Sequence, residues 1–594
     1  MGEYKTPGVY IKEKNAFGNS VVEAETAIPA FIGITEKAQN GNDDLKNKPW
    51  KISSMTEFIQ YFGGAPELSF TVDIKRYNPE ATKDRNGNPV PSSAVLSPES
   101  KVFQYDIKSD EKDKFPIIPK PETKPFEKEY AVNYAFYING VNKYTLFYNM
   151  LFFFANGGTI CYIVSVGTYS GKDTLDDKKV TTALINLEKE QEVTMIIIPE
   201  AVENTDTCSN IQQMMLKHCG EMANRFTILD IPPKYPGNDQ LDTRMETFQG
   251  SIGSNYMSYG AAYYPWLNTS VLGDRDIEGS MFSWTKDTLD NLSKFSQVDK
   301  KLQEIVNTFT ITTIDVEEGQ TVTIKGKEYK CGNITVDLLK KDLGVDQITV
   351  KNVNDSEETT KIIKQTITFS SPYVEDKNGF HQALFNGSVL YQYAMKGLKR
   401  YLNLLPPSAA MAGIYTMVDS SRGVWKAPAN VTLSYVDSVA EDIDDEQQAG
   451  LNAPMNGKAI NVIRPFRGEG IKVWGARTLD GNSLDWRYIN VRRTLLFLEE
   501  SVKNAARAYV FEPNDAGTWI NMQCMIESFL RSVWKRGGLA GATPEDAYEV
   551  HIGLGDTMTA EDILEGIMRI TVLVAVTHPA EFIEITFQQQ MQKS

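Results

Sequence analysis

The chain has 594 residues, more than one hydrophobic core usually serves, so several domains are expected. A net charge of −16 and the lack of a Lys/Arg-rich run argue against a general nucleic-acid binder. No apolar run is long enough to cross a bilayer, and the five cysteines lack the CxxC spacing of zinc sites.

The N-terminal residues are typical of an extended arm. A bend at residues 6–8 precedes a short apolar strand formed by Val9, Tyr10 and Ile11. Residues 66–130, by contrast, are rich in proline, asparagine and charge. That composition predicts a loop-rich insertion at the surface.

Residues 136–266 alternate between apolar strands and helices. Residues 159–166, 194–199 and 225–231 are predicted to be largely apolar strands, of which 194–199 is the most continuous, and helical patterns separate them. Strands of this kind are buried on both faces, which is typical of a parallel sheet covered by helices. We therefore predict an α/β domain here. The segment at 301–350 has alternating Thr, Ile and Val residues and predicts an inserted β-rich domain.

The chain then returns to helix, and residues 406–430 combine small residues with aromatic ones. This mixture favours a closely packed helix. Residues 449–462 and 470–477 are predicted to be strands that flank a turn. The acidic run at residues 441–446 lacks the alternating acids and central glycine of a calcium loop, so we predict a solvated loop.

The last hundred residues contain two helices with clear apolar stripes. The first stripe includes Val491, Leu495 and Leu498, and the second includes Met522 and Ile526. A capping box at residues 559–562 predicts a short third helix, and residues 567–576 predict a buried strand.

A final apolar strand lies a few residues before the C-terminus. Phe582, Ile583, Ile585 and Phe587 supply its apolar side chains, and Ile583, Ile585 and Phe587 share one face. An apolar strand at a chain end must pair with something or become an aggregation edge.

No catalytic pattern emerges. A phosphate-binding Walker loop and a G-x-S-x-G elbow are both missing, and the four histidines lie far apart in sequence. Asp419 with Arg422, and the pair Arg492 and Arg493, favour structural ion pairs. We predict no catalytic residue, no cofactor and no metal site.

Several segments together resemble the tail sheath protein family of contractile phage tails and bacterial contractile injection systems. They are TPGVY (6–10) with TAIPAFIG (26–33), FFANGG (153–158), YPW (264–266), PPS to RGVWKAPAN (406–430), NVRR (490–493), FEPN (511–514) and HPAEF (578–582). The stretch at 406–430 is the longest and most specific.

The resemblance implies a structural subunit that is not an enzyme. Such subunits form stacked sixfold rings around an inner tube, and their terminal arms pair with neighbouring subunits. Contraction then drives the tube through a target envelope. The implied partners are other copies, the inner tube protein, and baseplate and terminal cap proteins, with no nucleic acid and no membrane insertion. The implied particle is a phage tail or a tail-like device that is assembled in the bacterial cytoplasm and can be released from the cell.

The resemblance also suggests residues for these contacts. The arm strands comprise Val9, Tyr10, Ile11, Phe582, Ile583, Ile585 and Phe587. The C-terminal helices would face the tube, and the candidate tube contacts are Lys503, Arg507, Arg531, Lys535 and Arg536.

The predicted fold is α/β (mixed α+β) and multidomain: an inner sheath domain formed by both chain ends, a parallel-sheet α/β middle domain, and inserted β-rich outer domains. The expected segments are 1–22 (N-terminal arm), 23–65 (sheath core), 66–130 (surface insertion), 131–269 (α/β sheath domain), 270–378 (β-rich outer domain), 379–440 (sheath core), 441–580 (C-terminal inner domain) and 581–594 (arm strand). Two alternatives remain at this point: an α/β enzyme that binds a nucleotide or small substrate at the 136–266 sheet, and a polymer that does not contract.

Overall fold

The computed structural model describes residues 21–77, 103–106, 133–139, 144–233, 240–284, 289, 300–344, 348–355 and 361–585. The predicted arm strand at residues 9–11 and the side chain of Phe587 lie outside these ranges. Two units make up the chain. The first comprises Met1–Pro66, Lys143–Val271 and Leu405–Ser594, and the second comprises Glu67–Asn142 and Leu272–Leu404.

A nine-stranded sheet forms the centre of the first unit. Its strands follow the order Val431–Thr432, Gly470–Val473, Ile460–Phe466, Gly260–Tyr264, Phe226–Asp230, Met195–Ile197, Pro29–Thr35, Cys161–Thr168 and Trp50–Ile52. The six strands from Ile460–Phe466 to Cys161–Thr168 are parallel, and the outer strands are antiparallel. The predicted mixed α/β, multidomain fold with a parallel sheet is thus confirmed.

Helices cover both faces of this sheet. Ala30 and Ile32 share a core with the helices Asp177–Leu187, Thr205–Met222 and Leu241–Ser251. On the other face, Phe31 contacts Phe153, which lies in the helix Leu146–Ala155, with ring centroids 5.0 Å apart. Burial on both faces explains why the strands read as continuous apolar runs.

Two helices on that second face pack closely against each other. Ser408–Arg422 lies within the predicted small-residue stretch, and ten of its residues are buried. A side chain at Gly413 would bring its Cβ within 2.6 Å of the Phe153 carbonyl oxygen, at the neighbouring helix Leu146–Ala155. Glycine therefore permits this approach, and the prediction of close packing is confirmed.

One predicted strand is wrong. Residues 449–452 belong to the helix Asp445–Asn452, and the strand begins only at Ile460. Asp444 and Gln447 form a capping box, and Asp445 and Glu446 lie in the first turn, where acidic residues favour a helix. The acidic run therefore starts a helix instead of forming only a loop.

Within the described residues, the second unit contains three sheets and four helices of at least eight residues. A four-stranded sheet has the order Phe282–Trp284, Phe70–Tyr77, Asn133–Asn139 and Phe103–Asp106; a three-stranded sheet has the order Thr310–Glu317, Ile362–Val374 and Ile348–Asn354; Thr321–Ile324 pairs with Lys327–Lys330. The helices are Lys300–Phe309, Val336–Leu343, Lys377–Gly387 and Val389–Leu402. Two of these strands, Phe70–Tyr77 and Phe103–Asp106, lie in the range that we expected to be rich in loops.

The first unit also contains the helix Met55–Phe62, the hairpin Gln39–Asn40 with Asp43–Asp44, and the antiparallel pair Leu267–Thr269 with Val436–Val439. Across the described ranges, no helix is both long enough and apolar enough to cross a bilayer.

Candidate assembly interface

Two long helices form the core of the C-terminal region. They span Ile489–Ala506 and Ala516–Lys535, as the apolar stripes predicted. Phe497 and Phe529 pack with ring centroids 5.9 Å apart. Asp515 caps the second helix by accepting a hydrogen bond from the Thr518 backbone N–H at 3.0 Å. The predicted third helix is present as Ala560–Leu564, with its capping box formed by Thr559 and Asp562.

A two-stranded antiparallel sheet packs on the second helix. Its strands are Tyr548–His551 and Thr571–Val574. Tyr548 and Val550 are buried on its inner face, whereas Leu573 is 51% exposed. The predicted strand at 567–576 is therefore shorter and less buried than expected, because only one of its faces packs on the helix.

Among the described residues no further strand flanks this small sheet, although Leu539 forms a single antiparallel bridge with Val576, just beyond its second strand. Unpaired N–H and C=O groups along a strand edge are a template for adding another strand.

The C-terminal segment is held at Glu581. Its carboxylate accepts hydrogen bonds from Arg477 Nε at 2.9 Å, Arg477 Nη2 at 2.7 Å, Asn452 Nδ2 at 2.7 Å and the Tyr488 hydroxyl at 3.0 Å. Burial raises the pKa of Glu581, but these hydrogen bonds and the Arg477 charge outweigh it, so the pKa lies below its usual value. Glu581 is thus an ionised side chain fixed by three partners, a role that sequence reasoning missed.

Apolar side chains project immediately after this contact. Phe582, Ile583 and Ile585 are 78%, 79% and 69% exposed. Residues 581–585 have no strand partner in their own chain within the described ranges. A soluble monomer rarely exposes adjacent large apolar side chains without an interaction to cover them.

The N-terminal segment lies along the same region of the first unit. The Ala24 N–H donates to Ser501 Oγ at 2.9 Å, and Arg493 Nη2 donates to the Thr26 carbonyl at 2.8 Å. Glu23 pairs with both terminal nitrogens of Arg536. Both ends of the described chain are therefore tied to the same unit.

The predicted tube contacts lie on the C-terminal helices or just beyond their ends. Lys503, Arg507, Arg531 and Lys535 are exposed. Lys503 pairs with Glu500 at 3.0 Å, and Arg531 Nε lies 3.3 Å from the Tyr548 hydroxyl. Arg536 forms an ion pair with Glu23. Their role at a tube remains a prediction.

Arg493 also forms a buried ion pair. Its Nη1 and Nη2 donate to the two carboxylate oxygens of Asp419 at 2.9 and 2.5 Å, and each side chain is 3% exposed. Asp419 therefore pairs with Arg493 and not with the nearby Arg422. The two partners are 74 positions apart in sequence, which explains why the sequence did not reveal the pair.

Buried carboxylates fix helices at the carboxyl ends of the central strands. Glu200 accepts hydrogen bonds from the N–H groups of Ile34, Thr145 and Leu146 at 2.8–3.1 Å. Asp230 accepts from the Ser408 N–H at 2.8 Å. Burial raises the pKa of both Glu200 and Asp230 to about 7.

This edge is where an α/β enzyme would hold a ligand. In this chain, Glu200 and Asp230 hold the starts of two covering helices there. Within the described ranges, moreover, the His, Cys, Asp and Glu side chains form no cluster suited to a metal ion.

Comparison with known proteins gives a match for the C-terminal region. Residues 482–590 match the family model of the phage tail sheath C-terminal domain. The tail sheath protein of Vibrio phage KVP40 is 26% identical over 157 residues, which cover 26% of this chain and 23% of that protein. A putative prophage major tail sheath protein of Pseudomonas aeruginosa is 26% identical over 100 residues, which cover 16% of this chain and 25% of that protein. The chain thus aligns with about a quarter of the length of these curated relatives.

Solved structures match over nearly the whole chain. The PVC sheath complex of an extracellular contractile injection system, in its contracted state, has a TM-score of 0.51 at 22% identity; 100% of this chain and 99% of that chain are covered. A chain of the contracted anti-feeding prophage baseplate has a TM-score of 0.54 at 20% identity, with 100% of both chains covered. This chain therefore has the fold of contractile sheath structures, and its residues 482–590 are similar to the C-terminal domain of phage tail sheath proteins.

Proposed function

We propose that this protein is a structural subunit of a contractile sheath. It polymerises as stacked hexameric rings around an inner tube and contracts to drive the tube through a target envelope. One observation carries the proposal: an exposed apolar arm follows Glu581, and a two-stranded sheet with open edges lies in the same matched domain.

The arm and the open sheet are complementary. An extended segment that contains Phe582, Ile583 and Ile585 can pair along the backbone edge of the sheet in a neighbouring copy. Residues 9–11 are the second arm strand in this proposal. Pairing would cover apolar side chains that are more than two-thirds exposed in a single chain.

Arm exchange makes the contact heterologous. The donor arm and the acceptor sheet are different surfaces, so each subunit can give to one neighbour and receive from another. A contact of this kind closes into rings or extends into a helical stack, depending on the rotation. The further partners are the inner tube protein, through the basic side chains of the C-terminal helices, and baseplate and terminal cap proteins.

Contraction needs only a modest free-energy difference for each subunit. Two packings of one interface that differ by a few kcal/mol form a bistable switch. Summed over many coupled subunits, this difference performs the mechanical work. The particle is a phage tail or a tail-like device assembled in the bacterial cytoplasm, and the subunit itself has no catalytic role.

Deleting residues 582–594 tests the proposal. Glu581 is kept because it is bound within its own chain. We expect a folded subunit that forms no tubes when it is mixed with the tube protein, measured by negative-stain microscopy and circular dichroism. Normal tubes from this truncation would contradict arm exchange.

A point variant supplies a matched control. Ile583→Asp should prevent tube formation, whereas Ile185→Asp, on the exposed face of the helix Asp177–Leu187, should not. Both side chains are apolar and more than half exposed, so a difference between them assigns the effect to the arm. Wild-type tubes of one fixed length and diameter, without a shorter and wider form, would show a polymer that does not contract.

A further inference from the structure

An Arg–Glu pair holds each terminal segment to the first unit, but the two pairs differ in their exposure to solvent. Arg477 contacts Glu581 through two nitrogens, and the two side chains are 6% and 19% exposed. Arg536 contacts Glu23 in the same two-pronged way, but these side chains are 43% and 41% exposed. Buried charge-assisted pairs with extra donors are costly to break, whereas exposed pairs contribute little because water and salt screen them.

Arg477 is also joined to the central sheet. Its backbone N–H donates to Asn461 Oδ1 at 2.8 Å, and Asn461 Nδ2 donates back to the Arg477 carbonyl at 2.7 Å. Asn461 is fully buried in the parallel strand Ile460–Phe466. It also donates to the Ala262 carbonyl of the adjacent strand at 3.2 Å.

A continuous series of polar contacts therefore leads from the arm to the sheet. Glu581 contacts Arg477, Arg477 contacts Asn461, and Asn461 bridges two parallel strands. Asn452 and Tyr488 add donors to Glu581 from the end of one helix and the residue before another. These contacts join the C-terminal arm to two helices and two strands, one of which, Gly260–Tyr264, is distant in sequence.

We infer that Glu581 and Arg477 form a mechanical anchor, which passes tension from the C-terminal arm directly into the parallel sheet. This inference rests on the proposed function, because tension arises only if the arm is bound to a neighbour. Glu581 and Arg477 act as positioning residues: they fix where the arm leaves the fold and keep it attached under load. The exposed pair of Glu23 and Arg536 is a weaker attachment, so the two arms differ in the force that they withstand.

The first test measures local opening in the isolated full-length subunit. Glu581→Gln and Arg477→Gln should raise the amide hydrogen exchange of residues 577–585 at least tenfold. Each change removes charge-assisted hydrogen bonds from a partner that is largely shielded from water. Glu23→Gln is the matched control, and it should change the exchange of residues 21–27 by less than threefold. Wild-type exchange at 577–585 in Glu581→Gln would overturn the inference.

The second test applies mechanical load to assembled sheaths and measures their length. A residue with a purely local structural role would leave this length unchanged. Glu581→Gln keeps the whole arm, so tubes should still form with the tube protein. After controlled shear we expect their mean length to fall at least threefold relative to wild-type tubes in electron micrographs. Arg477→Lys keeps the charge but loses the two-pronged contact, and it should give intermediate lengths. Unchanged lengths in both variants would overturn the anchor.

The two proposals can fail separately. If the 582–594 truncation assembles normally, the arm exchange itself is wrong. If that truncation fails to assemble but Glu581→Gln tubes resist shear like the wild type, only the anchor is wrong.

Discussion

Glu200 and Asp230 are buried acids that serve as helix anchors. Each accepts backbone hydrogen bonds at the start of a helix, where N–H groups have no partner within the helix. Their environment favours a negative charge through these donors and opposes it through burial. Burial dominates, which places both pKa values near 7.

Asp230 should make thermal stability depend on pH. Its folded-state pKa of about 7 lies above the ordinary value of 3.8, so the folded chain retains a proton that the unfolded chain loses. The resulting stabilisation is fully present below about pH 3.8 and is lost as the pH rises through 7. Asp230→Asn cannot ionise, and its amide can still accept from the Ser408 N–H.

We therefore expect Asp230→Asn to have a Tm that falls less than the wild-type Tm between pH 5 and pH 8, by several degrees. Differential scanning calorimetry at the two pH values measures it. Asp445→Asn is the control, because Asp445 is exposed and its substitution should leave the slope unchanged. Identical slopes for Asp230→Asn and the wild type would show that Asp230 stays ionised in the fold.

At the level of elements, the helices Leu146–Ala155 and Ser408–Arg422 depend on Gly413 for their close approach. Gly413 has no room for a side chain, since an added Cβ would lie 2.6 Å from the Phe153 carbonyl oxygen. Backbone atoms cannot move aside as a flexible side chain can. The helix Asp445–Asn452 offers a contrast, because a Cβ at Gly450 would meet no atom within 4 Å.

Gly413→Ala should destabilise the subunit by about 1–3 kcal/mol through overpacking. Gly450→Ala should instead stabilise it by about 0.5–1 kcal/mol, because alanine favours a helix over glycine. Thermal unfolding of both variants measures the difference. A Gly413→Ala variant as stable as the wild type would mean that the helices can separate without cost.

At the scale of the whole molecule, the termini of the described chain and the open sheet belong to one unit. If arms are exchanged head to tail, a subunit that accepts but cannot donate will end a growing polymer. The C-terminal anchor and the acceptor sheet remain intact in a subunit truncated after Glu581. Such a subunit therefore tests whether the polymer grows through the C-terminal arm.

The truncated subunit should shorten wild-type sheaths when it is added at about one part in ten. Each truncated copy that is incorporated blocks further growth from its missing arm. Tube-length distributions in electron micrographs measure the effect, and the Ile185→Asp subunit is the control. Unchanged lengths at this ratio would contradict growth through the C-terminal arm.

Much of the fold could be predicted because local patterns determine it. The stripes from Val491 and Met522, the capping box at Thr559 and the apolar run around Ile196 are all patterns that span only a few residues of sequence. Residues 449–452 were wrongly predicted to begin a strand because two local signals compete there. The helix cap at Asp444 outweighed the alternating pattern that favoured a strand. Local competition of this kind is settled by hydrogen bonds that the apolar pattern does not reveal.

The sequence by itself determined the fold class, the C-terminal helices and an apolar terminal segment that needs a partner. Only the tertiary structure decided that Glu581 is bound by Arg477, 104 residues away, and that Asp419 pairs with Arg493. It alone brought Phe70–Tyr77 beside Phe282–Trp284. Periodicity and capping depend on neighbours along the chain, whereas these pairs depend on the path of the chain through space, which no local pattern encodes.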